Sequence, residues 1–281
     1  MIIAIVNNKG GTGKTTTGVN LSAALANLGH RVLLVDLDSQ ASASISLGVP
    51  YSELSPSSAD VLFDELPIES ATRNTNIRRL DLLPGGLELA HSDLILADVP
   101  GREDQLAESL MPVRDGYDFI ICDCPPSLSM LPVNALVAAD RYVVPVTPEY
   151  LALEGLTGLM CAVDLIREGM DINVEMLGIL FTMVNPARFR LLNKDLRSQL
   201  DIMDLVRGRY GKDVFKTVIR RSVSLSKAPS YGHTIFEHAP RSSGAQEYAQ
   251  LAGEVLERCG ISAKEAKSDI ERNVKERRSE Q

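Results

Sequence analysis

Residues 9–16 read Lys9-Gly10-Gly11-Thr12-Gly13-Lys14-Thr15-Thr16, and what flanks them decides the fold. Before them stands Ile2–Val6 (IIAIV), a continuous apolar run of the kind a strand shows when both its faces are covered. After them, Val19, Leu21, Leu25 and Leu28 lie along a helix pattern over 14–28, and Gly29 supplies the stop. Arg31–Asp36 (RVLLVD) is a second apolar run. Strand, glycine loop, helix and strand in that order make a βαβ unit.

The pattern continues outward. Asp81–Leu83, Tyr117–Asp123, Arg141–Val146, Met176–Val184 and Val214–Ile219 read as further strands. Leu87–Ala97, Gln105–Leu110, Asn134–Ala139, Glu149–Gly169, Asn193–Gly208 and Ser243–Cys259 read as helices, and 38–60 as loop with short helical turns. Pro145 predicts that its strand ends or frays there. Short apolar strands alternating with helices predict an α/β fold: a mostly parallel twisted sheet with helices on both faces. One domain over 1–259 is expected. The charged tail 260–281, with Ile261, Ile270 and Val274 as its few large apolar residues, is expected to be a frayed helix or disordered.

Composition narrows the class. The 281 residues are 44% hydrophobic with mean hydropathy near zero, as in a soluble globular protein. No apolar run approaches the ~18 residues of a membrane span, and no signal-peptide pattern is present, so the cytoplasm is expected. Cys122, Cys124, Cys161 and Cys259 have no zinc spacing. Cys122 and Cys124 share a strand face and read as small buried hydrophobes. Net charge is −8, unevenly spread: 186–227 holds 11 Lys/Arg against 4 Asp/Glu, a local +7 that leaves −15 for the rest. That asymmetry predicts a basic face on an acidic body.

The glycine loop carries the chemistry. It is a P-loop in altered form: counting back from Gly13-Lys14-Thr15, the leading glycine is replaced by Asn8, and Lys9-Gly10-Gly11 follow. Such a loop turns backbone N–H groups inward around an anion, and the helix behind it adds its positive end. Lys14 supplies a point charge to the β- and γ-phosphates, the Thr15 hydroxyl suits Mg²⁺, and Thr16 reaches the α-phosphate. Asp123 ends its strand where a P-loop enzyme holds Mg²⁺ through water. Asp36 and Asp38, after the neighbouring strand, both stand where one carboxylate orients the attacking water; spacing does not choose between them.

These residues resemble the deviant phosphate loop of the ParA/MinD superfamily. Val35–Gln40 (VDLDSQ), Ile121–Ser127 (ICDCPPS), Glu149–Leu156 (EYLALEGL) and Val218–Ser230 are similar to its ParA/Soj branch, and the resemblance runs from about residue 1 to 258. It implies an ATPase, weak alone and stimulated by a ParB-like or cargo-adaptor protein. ATP joins two copies into a homodimer, and Lys9 reaches the partner's phosphates. The aligned positions make Lys9, Lys14 and Asp38 catalytic, with Asp38 orienting water. Gly10, Gly11, Thr12, Gly13, Thr15 and Thr16 line the nucleotide, and Thr15 and Asp123 hold Mg²⁺. Arg220 and Ser222, standing where the family has Pro and Asn, border the adenine. Arg188 and Arg221 match arginines that bind DNA without sequence preference. Ser39 and Ala41 stand where Pro and Gly are usual. The implied role is segregation of plasmid or chromosome DNA, or positioning of a protein cargo on the nucleoid.

Two alternatives belong beside it. A membrane-cycling ATPase like MinD needs a wide apolar stripe on a C-terminal helix. Ala263–Gln281 offers Ile270 and Val274, so no stable membrane binding is expected. A nucleotide switch acting only on proteins fits the −8 charge but not the +7 segment.

Overall fold

The computed structural model describes residues 1–150, 152–185 and 194–261. Eight strands form one sheet: β1 Ile2–Ile5, β2 Val32–Asp36, β3 Arg73–Asn74, β4 Leu80–Leu83, β5 Phe119–Asp123, β6 Arg141–Val146, β7 Glu175–Val184 and β8 Val214–Arg220. Their order is β3-β4-β2-β5-β1-β6-β7-β8, and every pairing is parallel except β3 with β4.

Apolar runs without alternation bury both faces of a strand, and period two then divides each run between two cores. Ile2 and Ala4 of β1, Leu33 and Val35 of β2, and Ile120 and Cys122 of β5 face one core. Ile3, Ile5, Val32, Leu34, Phe119 and Ile121 face the other. The first core is closed by α3 (Ser58–Phe63), α4 (Ile68–Ala71), α6 (Gln105–Leu110), α7 (Met130–Ala138), α8 (Ala152–Met170) and α9 (Lys194–Tyr210). The second is closed by α1 (Lys14–Asn27), α2 (Ser42–Ser46), α10 (Val223–Lys227), α11 (Ile235–His238) and α12 (Ser243–Arg258). A further short helix, α5 (Ser92–Ile95), lies after β4.

The α/β sheet with helices on both faces is as the pattern implied, with three local departures. The helix expected over Leu87–Ala97 is a 3₁₀ turn, Leu87–His91, followed by the single turn of α5. Edge strand β3 is too short to leave a periodic signal. Pro145 does not end its strand: β6 runs through Val146 in the middle of the sheet. Its ring nitrogen faces the β1 side, where Val6 N–H has already made the last backbone bond, to Val143 O. Beyond that bond Asn7 Nδ2 donates to Pro145 O at 2.7 Å, so a side chain continues the contact where proline has no N–H to give. Cys122 and Cys124 are fully buried, and burial pushes the Cys122 thiol up to about 12. They are core residues here.

Candidate nucleotide site

Parallel sheets bind ligands beyond the carboxyl ends of their strands, where neighbouring connections run to opposite faces. Three adjacent strands meet that description here. β1 leads into the glycine loop, β2 ends at Asp36, and β5 ends at Asp123, which lies opposite both Asp36 and Ile5.

Gly13 precedes α1 with φ 84°, and Gly11 has φ 73°, both in the left-handed region that favours glycine. No side chain caps α1, so its first-turn N–H groups face the loop's hollow. The loop is tied down from behind: Thr182 Oγ1 on β7 donates to Thr12 O at 2.7 Å. Lys14 curls back and donates from Nζ to Lys9 O at 2.9 Å. It is buried, and desolvation lowers its pKa against the opposing pull of Asp123.

The hollow is a cavity of about 400 Å³. Its walls include Gly10 through Thr16, with Asp38 across from them and Met183 and Pro229 also contributing. This volume is in the range of small-molecule and cofactor sites. Asp38 is half-buried, and its Oδ1 accepts from Gln40 N at 3.0 Å. Asp36 is fully buried and held by Ser44, whose N–H and hydroxyl both donate to Oδ2, at 2.9 and 2.7 Å. Desolvation raises its pKa to about 6 despite those bonds.

Asp123 is fully buried, and neither carboxylate oxygen has a hydrogen bond of good geometry. Desolvation raises its pKa well above the usual carboxylate range, and Asp36 adds to the rise; the nearby Thr15 and Lys14 side chains pull the other way. A buried carboxylate with no well-formed hydrogen bond, beside a threonine and a lysine, is chemically suited to a hard divalent cation. Thr15 and Asp123 thus fit Mg²⁺ beside a nucleotide's phosphates.

The other expected residues are placed as follows. The Lys9 side chain lies over Gly155 of α8 in its own chain: a Cβ there would stand 3.1 Å from Lys9 Cε and 3.4 Å from Nζ. Arg220 and Ser222 are not brought to the cavity wall. Arg220 is ion-paired with Glu247 of α12. The Ser222 side chain caps α10, accepting from Leu225 N. Met183, with φ 53°, and Pro229 stand in the wall instead; Pro229 falls within the Val218–Ser230 stretch that resembles the family, whereas nothing in the sequence marked Met183. Arg221 is exposed one residue beyond β8, at the same edge of the sheet as the phosphate loop. Arg188 lies outside the described residues.

A strand–phosphate loop–helix core with a buried magnesium-type carboxylate defines a nucleotide-binding ATPase of the P-loop class. Comparisons with known proteins narrow this. A family model described as an AAA domain matches residues 1–176. The sporulation initiation inhibitor protein Soj of Bacillus subtilis is 42% identical over 254 residues, covering 90% of this chain and 97% of that protein. Among solved structures, a Mycobacterium smegmatis protein described as cobyrinic acid a,c-diamide synthase, with ADP and magnesium bound, aligns at TM-score 0.78 and 31% identity. It covers 91% of this chain and 93% of that one. The septum site-determining protein MinD of Pyrococcus horikoshii with Mg-ADP aligns at 0.69 and 28%, covering 90% and 95%. The chain belongs to the ParA/MinD family of ATPases.

Proposed function

We propose that this protein is a partitioning ATPase that uses ATP and Mg²⁺ to switch between a monomer and a homodimer that binds DNA without sequence preference. The observation that carries the reading is the phosphate loop with Asp38 facing it across one cavity and Lys9 outside that cavity's wall. Thr15 and Asp123 hold the magnesium, and Lys14 neutralises the β- and γ-phosphates. Thr16 and the loop amides from Gly10 to Gly13 grip the rest of the triphosphate. Asp38 orients the attacking water. Lys9 acts in the partner's site, leaving Gly155 to meet the charge that develops during phosphoryl transfer.

Pairing through this face is supported by exposed apolar side chains around it. Leu128 and Tyr150 follow β5 and β6 at the same edge of the sheet, 40% and 88% exposed. DNA binding is supported by the +7 segment, whose Arg221 and Lys227 are exposed near that edge. Arg188 belongs to the same basic segment of sequence and is proposed to share that role. A ParB-like or cargo-adaptor protein stimulates an otherwise weak hydrolysis, releasing the DNA. The nucleoid is then the place of action, and segregating DNA or positioning a protein cargo the outcome.

The direct test is phosphate release at saturating MgATP. Asp38→Ala keeps ATP binding and dimerisation but stops turnover. Lys9→Ala keeps ATP binding to the monomer and lowers turnover by about 10³-fold or more, as loss of a trans-acting cation does. Turnover near the parent rate in either variant contradicts the role given to that residue.

A further inference from the structure

The Asp38 loop is braced from behind by a turn that does not line the cavity. Pro84-Gly85-Gly86 follows β4, beside β2 in the sheet. Gly85 N donates to Ser44 Oγ at 3.0 Å, and that same hydroxyl donates to Asp36 Oδ2 at 2.7 Å. Asp36 Oδ1 accepts from Asp38 N at 3.2 Å. The other side of the turn is pinned too: Ser58 N donates to Pro84 O at 2.7 Å, and Ser58 Oγ donates to Asp36 O at 2.7 Å. A continuous relay thus runs from the turn through Ser44 and Asp36 to the backbone of Asp38.

The turn also presses on that backbone directly. A Cβ at Gly85 would stand 2.7 Å from Asp38 O and 3.0 Å from Asp36 Cγ. Asp38 O is itself occupied, accepting from Ala41 N at 2.8 Å. No freely rotating side chain lies at the contact to give way, so an added methyl displaces the Asp38 main chain.

We infer that Gly85 and Ser44 are positioning residues for hydrolysis, fixing the main chain of Asp38 so that its carboxylate meets the water at the γ-phosphate. This rests on the reading of Asp38 as the water-orienting group. Misplacing a reacting group by about 1 Å is enough to cost about 10² in rate. Ser44 and Gly85 are not themselves residues of the cavity wall, so nucleotide affinity is expected to be left nearly intact.

The test uses the full-length chain, with phosphate release and ATP affinity measured for Gly85→Ala, Asp38→Ala and the double variant. Gly85→Ala lowers kcat at least tenfold while ATP affinity stays within threefold, and the double variant is no slower than Asp38→Ala alone. Parental kcat in Gly85→Ala, or losses that multiply in the double variant, overturn the inference. Parental kcat in Asp38→Ala removes the reading beneath it, whereas an inactive Asp38→Ala beside an active Gly85→Ala removes the positioning role alone. Ser44→Ala deletes one oxygen without adding volume and covers the case in which Gly85→Ala fails to fold. The same split of kcat from affinity is expected of it, and a parental kcat there overturns the inference equally.

Discussion

Asp36 and Asp38 stand two residues apart and meet opposite surroundings. Asp36 sinks into the core with Ser44 on its carboxylate, while Asp38 turns out to the cavity. Period two placed both on one side, but β2 ends at Asp36, and beyond a strand's end alternation no longer governs direction. The place of Asp123, at a strand end beside the phosphate loop, was legible because the apolar run before it stops there. The brace at Ser44 and Gly85 was not, because it joins a short helix to a turn 41 positions away and has no motif. One prediction belongs to Asp123. Buried and without a well-formed hydrogen bond, its carboxylate is costly to the nucleotide-free fold and suited to a cation. Asp123→Asn is expected to raise the Mg²⁺ needed for half-maximal ATP affinity by about 10- to 100-fold, the usual loss at an outer-shell metal partner. Its nucleotide-free melting temperature is expected to match or exceed the parent's. A fall in melting temperature with unchanged Mg²⁺ dependence would show that Asp123 is a structural carboxylate.

At the scale of elements, the sheet needed both ends finished, and the two ends are finished differently. β3 closes one side with a two-residue antiparallel strand. On the other side the exposed N–H groups of β8 are taken by glutamates of α12. Glu254 accepts from Lys216 N at 2.8 Å and Thr217 N at 3.0 Å, and Glu247 accepts from Arg220 N at 2.9 Å. These carboxylates occupy the place of a ninth strand and keep the edge from pairing elsewhere. No motif marks these glutamates in the sequence, so the device was hidden there, as was the bond from Asn7 to Pro145 O. Burial favours protonation of Glu254, but the bonds from Lys216, Thr217 and Arg258 outweigh it and hold the pKa below its usual value. A depressed carboxylate contributes stability fully above the unfolded value near 4.5, and that contribution is lost as pH falls through 4.5 toward the lower folded value. Glu254→Gln should therefore cost about 1.5–3 kcal/mol at pH 7 by denaturant melting. The gap from the parent should narrow below pH 4.5. A gap independent of pH would mean that packing, not the charge, is what Glu254 contributes.

At the scale of the molecule, charge and topology are set apart in a way that suits a switch. An acidic body of net −15 carries a segment of +7, and that segment contains α9, β8 and α10, with β8 the last strand of the sheet. Arg221 and Lys227 lie near the strand ends that also carry the phosphate loop, so nucleotide-driven pairing would set two basic segments side by side. The fold class and phosphate loop were readable from the first residues because both depend on local order along the chain. The cavity's Met183 was not, since its strand is far in sequence from the phosphate loop and no motif includes it. Arg221→Ala is expected to weaken binding evenly across DNA sequences and to lower the slope of log affinity against log salt by about one per subunit. The whole account turns on nucleotide control of that binding. The most direct measurement is fluorescence anisotropy of a labelled random-sequence duplex titrated with Asp38→Ala protein in ATP, in ADP and without nucleotide. The prediction is binding in ATP alone, weakening steeply with salt. Equal binding in ADP, or none in ATP, would contradict it.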